Sequence, residues 1–201
     1  MKYTLGVISL LIWVALNIII QSFEEKKLNL SKLKDPKQYI GGGILLILEL
    51  VNAYYISEFN SFIFAYLMTI ILFYISVEDI KTKEVSNKAV IAMFIVAIPS
   101  IYFINRDIVL KVLIGFLVIS LVLFGISKLT KGALGMGDVK VISALTLYLG
   151  FEGSMIIVFL ASFLVAIIGI FFLIKSFSNK NKEIPFIPFI LIAMIIFNST
   201  F

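Results

Sequence analysis

The 201-residue chain contains no cysteine and no histidine, one tryptophan and four prolines, and only 14% of its residues are charged. Without thiolates or imidazoles it cannot build the common zinc sites, ligate haem through histidine, form disulfides, or use a cysteine nucleophile or a Ser-His triad. Any chemistry must come from carboxylates, lysines, hydroxyls and backbone. The scarcity of charge is matched by 61% hydrophobic residues, more apolar surface than a soluble domain of this length can hide. The composition therefore describes an integral membrane protein. A net charge of +5 does not point to nucleic acid, because the basic residues are scattered through short loops between apolar segments and form no stripe.

A helix needs about 20 mostly apolar residues to cross a bilayer. That rule predicts an all-α bundle of about eight transmembrane helices, at 5–21, 39–56, 61–77, 88–104, 108–129, 139–150, 154–174 and 185–198, the sixth being short. Lysine and arginine collect on one side. The loop 22–38 carries Lys26, Lys27, Lys32, Lys34 and Lys37, and the later loops of that side carry Lys81, Lys83 and Lys88, then Lys128, Lys131 and Lys140, then Lys175, Lys180 and Lys182. The other side has little beyond Lys2, Arg106 and Lys111. Positive charge marks cytoplasmic loops, so these four loops are expected inside and both termini outside. The first segment has no small-residue cleavage site and reads as a retained span. No repeat or separate soluble domain interrupts the chain, which reads as a single membrane domain over 1–201.

Two aspartates stand at apolar boundaries on the expected cytoplasmic side. Asp138 follows Gly135 and Gly137 in "TKGALGMGDVKVISAL", where the short sixth span begins, and Asp79 follows Glu78 in "FYISVEDIKTKEVSNKAV", where the third span ends. An ionised carboxylate beside hydrocarbon costs free energy unless it is wet, paired or used. Two carboxylates brought together hold one proton between them, so that one acts as general base to a water while the other polarises a carbonyl. Gly135 and Gly137 would permit positive φ or the close approach of an extended peptide, and leave room for that water. Spacing alone leaves a plainer reading open, with Asp138 as the N-cap of the sixth helix and Asp79 a solvated acid beside Lys81. Glu49 lies well inside the second span, where a charge is expensive; it is expected to be protonated or paired, in a structural hydrogen bond and not a substrate contact.

Several separated stretches together resemble the type IV prepilin peptidases. "EDIKTKEVSN" is similar to that family's first-aspartate motif and "GMGDVKVISALTLYLG" to its G-x-G-D-x-K motif with the short helix that follows. "EIPFIPFILIA" resembles the stretch that opens its last span, and "ELVNAYY" its glutamate-leucine motif. The resemblance covers most of the chain from about Glu49 onward, in order. It implies a membrane aspartic endopeptidase with Asp79 and Asp138 as the catalytic pair at the cytoplasmic rim, shaped by Gly135 and Gly137, and needing neither metal nor organic cofactor. It places Lys140 on the family's lysine, near a substrate carbonyl or a lipid phosphate, and Asn87 on its asparagine, as a hydrogen-bonding or capping residue. Pro185 and Pro188 would fix where the last span begins. The implied partners are the lipid bilayer and prepilin or pseudopilin precursors, whose basic leader would meet Glu78 and Glu84.

The chain departs from the family's bacterial members in one respect. They often carry a cytoplasmic insert with Cys-x-x-Cys pairs and methylate the new N-terminus with S-adenosylmethionine; the corresponding loop 22–38 is short and has no cysteine. Cleavage without methylation is the expectation. Two other readings compete with it. A presenilin-like protease shares the G-x-G-D pattern but sets its acids inside the bilayer and adds a Pro-Ala-Leu motif absent from this chain. A proton-coupled transporter would use Glu49 and one aspartate as a relay, but such proteins tend to show internal repeats and midplane polar sites.

Overall fold

A computed structural model describes residues 36–104, 109–130, 134–175 and 184–200. Long apolar runs without interior turn residues can satisfy their backbone groups in a membrane only as helices, and the described residues form six: α1 (Pro36–Tyr55), α2 (Phe59–Thr82), α3 (Asn87–Ile104), α4 (Val109–Leu129), α5 (Met136–Lys175) and α6 (Ile187–Thr200). Among the described residues there is no strand. Helices α2, α4 and α5 each carry an apolar stretch long enough to cross a membrane, and α1, α3 and α6 are shorter apolar helices. The expected span 5–21 and most of the loop 22–38 lie outside the described residues.

The expected sixth and seventh spans are one helix by hydrogen bonding, broken in direction at Gly150. Its φ of 76° and ψ of −179° belong to a backbone region that only glycine adopts at little cost. The separation of the two spans is therefore a bend and not a loop. The other boundaries agree with the expected ones to within a few residues.

The described residues divide into two compact units at Ile70/Ile71, inside α2. In the first, Asn52 of α1 donates to Thr69 Oγ1 of α2 at 2.9 Å, and Leu45, Phe62, Ala65 and Met68 are fully buried. Glu58 precedes α2 and receives the Ser61 hydroxyl at 2.8 Å, which ties down the helix start.

In the second unit α5 packs against α3, α4 and α6. Helix α4 buries only Val112, Gly115, Ile119 and Ser127, one narrow stripe at helical spacing, while Leu110, Leu117, Leu121 and Leu129 point outward. A helix apolar on every side with one buried stripe suits a lipid-facing position. At Gly115 an added Cβ would lie 2.9 Å from Phe151 Cβ, so the missing side chain sets how closely α4 meets α5. Ser120 donates to Ser143 at 2.9 Å, a polar link between the same two helices.

Candidate active site

The second unit brings both aspartates to one open cleft of about 360 Å³. Its walls come from the segment after α2, with Lys83, Glu84, Val85 and Asn87, and from the start of α5, with Gly135, Met136, Gly137, Asp138 and Lys140; Asp79 completes it. The apolar run of α2 stops at Val77, two residues before Asp79, and that of α5 starts at Val139, just after Asp138. Both acids thus lie outside the apolar stretches, on a cleft that water can enter.

Helix α2 ends at Thr82 because Lys83 takes the left-handed conformation, φ 56°, while its N–H still reaches the Asp79 carbonyl at 2.9 Å. A non-glycine residue in that region is uncommon, and here it turns the chain sharply beside the acid. The Glu78 carboxylate then accepts the Ser86 N–H at 2.9 Å, which fixes the return of the chain into α3. Glu78 therefore holds the loop and is not on the cleft wall, whereas Glu84 is exposed on it.

Helix α5 begins at Met136, and the Val139 N–H bonds the Gly135 carbonyl at 3.2 Å. Gly135 is the residue ahead of the helix, and Asp138 lies in its first turn, where a carboxylate is favoured by the helix dipole. The plainer expectation, Asp138 as the N-cap, is displaced by three residues. Neither motif glycine has positive φ; among the described glycines only Gly150 does. Their reason is space. A Cβ on Gly137 would lie 2.6 Å from Val85 Cγ2 and 2.7 Å from Val85 Cβ, and one on Gly135 would lie 3.1 Å from Asp138 Oδ2. Ser127 of α4 donates to the Leu134 carbonyl at 2.8 Å and anchors the segment ahead of the motif. Across the cleft mouth Lys140 Nζ donates to Asn87 Oδ1 at 2.7 Å, linking the two motifs. Asn87 is the first residue of α3, so its side chain serves that link and the capping position falls to Ser86.

Asp79 is 6% exposed and accepts the Ile187 N–H at 3.0 Å on Oδ2. Burial raises its pKa, opposed by the backbone N–H groups of Ile187 and Phe186 and by the Lys83 ammonium. Asp138 is half-buried and pushed up to about 7, first by burial and then by the Asp79 charge. Near neutral pH such a pair can retain one proton while presenting one carboxylate. The backbone donors of α6 are the part of the site that sequence reasoning missed. Their signal was the lack of a Ser, Thr, Asp or Asn ahead of "IPF", which leaves the helix start to be capped from elsewhere.

Glu49 is not in this cleft. It is fully buried in the first unit. Asn52, one turn on, donates to Thr69 Oγ1 and also interacts with the Glu49 carboxylate. Among the described residues no group of three or more acids is arranged to hold a metal ion.

A model of the type IV leader peptidase family matches residues 66–170, just over half of the chain and all of the cleft up to Lys140. A prepilin leader peptidase/N-methyltransferase of Aeromonas salmonicida (strain A449) is 34% identical over 88 residues, which cover 43% of this chain and 30% of that protein. One from Aeromonas hydrophila is 33% identical over the same shares. The match spans less than a third of the length of these curated relatives. No solved structure matches.

Proposed function

The chain belongs to the type IV leader peptidase family, and on that premise we propose that it is a membrane aspartic endopeptidase that removes the leader from type IV prepilin or pseudopilin-like precursors. The observation that carries the reading is the pair itself: Asp79 and Asp138, 59 positions apart in sequence, share one water-accessible cleft, and each is disfavoured from ionising by burial. Such a dyad activates a water for direct attack on a peptide carbonyl, with no covalent intermediate. Glu84 on the cleft wall is placed to meet a basic leader, and Lys140 is held by Asn87 at the mouth.

The lysine distribution supports a cleft on the cytoplasmic face of a prokaryotic plasma or inner membrane. The chain is free of cysteine, so Thr82→Cys should react with a membrane-impermeant thiol reagent only after cells are opened, and Asn60→Cys in intact cells; labelling of Thr82→Cys from outside would rule out a cytoplasmic leader. The direct test is incubation of the purified protein with a prepilin precursor and mass spectrometry of the new N-terminus. Precursor left intact under conditions where the fold persists would refute the peptidase. The same spectrum reads the methylation state, and an unmethylated amine is expected because the chain has no Cys-x-x-Cys pair.

A further inference from the structure

The start of α6 has an unusual set of donors. Phe186 stands at the capping position without a side-chain acceptor, Pro185 and Pro188 have no N–H, and the Phe189 N–H is taken by the Phe186 carbonyl at 3.0 Å. The Ile187 and Phe186 N–H groups remain, and both face Asp79. Asp79 therefore caps α6 from 108 residues away. The bond is buried, with Ile187 fully inaccessible, so water cannot replace it. Among the described residues no backbone N–H donates to Asp138. The two acids share a cleft but not an environment: one oxygen of Asp79 is engaged by a fixed donor that has no lone pair to offer a proton, and a carboxylate accepting backbone N–H bonds is stabilised in its charged form.

We infer that the N-terminus of α6 divides the work of the two acids: Asp79, held by the Ile187 amide, is the carboxylate that takes a proton from the attacking water, and Asp138 is the acid that gives its proton to the scissile carbonyl oxygen. The inference rests on the peptidase reading above. In the first step the water oxygen bonds to the carbonyl carbon, one water proton passes to Asp79, and the Asp138 proton passes to the carbonyl oxygen, leaving a neutral gem-diol. In the second the C–N bond breaks as Asp79 returns its proton to the nitrogen and a diol hydroxyl gives its proton to Asp138. The products are an amine and a carboxylic acid, and both aspartates regain their starting states. Ile187 acts through Asp79 and is a positioning residue. The other charged groups around Asp79 agree with this order. Lys83 favours its charge, Glu84 and Lys140 line the more exposed wall, and Glu78 is engaged by Ser86 N–H.

The test removes the donor without touching either acid. Ile187→Pro deletes the N–H at a first helical position that tolerates proline, and Ile187→Ala shortens the same buried side chain while keeping the N–H. With a prepilin precursor as substrate, Ile187→Pro should move the acidic limb of the kcat/KM profile up by about one pH unit, and Ile187→Ala should leave that limb in place. An unmoved limb in Ile187→Pro, or equal shifts in both variants, overturns the assignment and leaves the peptidase standing. The order of ionisation is also read without cleavage, by carbon NMR titration of the labelled aspartate carboxyls in the detergent-solubilised full chain, with Asp79→Asn and Asp138→Asn as assignments. Asp79 ionising at lower pH than Asp138 supports the inference. Asp138 ionising first overturns it, whether or not a precursor is cut and whether or not Ile187→Pro folds.

Discussion

Glu49 and Asp79 are both buried acids on apolar helices, and only one of them is equipped for chemistry. Glu49 is fully enclosed beside the Asn52 side chain and does not line the cleft. Asp79 is nearly as buried, yet it has a backbone donor on one oxygen, a lysine nearby, a second carboxylate across the cleft and an opening to water. Fixed donors together with access make Asp79 the candidate for chemistry.

The sharpest way to break this comparison is to neutralise each acid in turn. Asp79→Asn and Asp138→Asn should each lower cleavage by at least about 10³-fold, the loss expected when a general acid or base is removed, with insertion in the membrane unchanged. Glu49→Gln should stay within about twofold of wild type. A Glu49→Gln variant as inactive as the aspartate variants would erase the distinction. Smaller, but still large, is the effect of closing the space that brings the motifs together. Gly137→Ala forces a Cβ into Val85, whose branched side chain cannot swing away, and should cost about 1–3 kcal/mol of thermal stability and most of the activity. The double variant with Val85→Ala should recover much of both; failure of that rescue would mean the glycine is needed for something other than its contact with Val85.

The smallest effect concerns what the dyad costs the fold. Burial, and then the Asp79 charge, push the Asp138 pKa up to about 7 in the folded protein, against about 3.9 when unfolded. The folded state thus holds the proton more tightly. That contribution is fully present below about pH 4 and is lost as pH rises through 7. Asp138→Asn cannot ionise, so its melting temperature should exceed that of wild type by a few degrees at about pH 8.5 and by less at about pH 5. Equal differences at both pH values would show that Asp138 is not held apart from its charge.

Much of this was visible in the chain before any coordinates. Apolar runs marked the helices because length and composition decide them in a membrane. The two aspartates stood out because acids at apolar boundaries need a reason. What escaped was long-range or volumetric. Nothing near Asp79 in sequence announces Ile187 as its donor, and the backbone amide that matters has no residue type. Gly137 suggested positive φ or the close approach of a peptide; its φ is not positive, and the space a Cβ would need is taken by Val85, a neighbour only in space. The contact of the Glu78 carboxylate with the Ser86 N–H, eight residues on, also has no sign in the sequence. The bend at Gly150 looked like a loop because hydropathy falls there in the same way for either.

That bend sets a length. From Met136 to Leu149, α5 runs 14 residues before Gly150 redirects it, a rise of about 21 Å. The hydrocarbon layer is about 30 Å thick. A rod this short, with an acid in its first turn, does not match a full hydrocarbon layer, and the mismatch would be absorbed by snorkelling side chains such as Lys140 at its end or by a local dip in the bilayer surface. Such a dip would bring water and headgroups toward Asp138. The thickness of the surrounding membrane is thereby coupled to how wet the site is, through one glycine well removed in sequence from either aspartate.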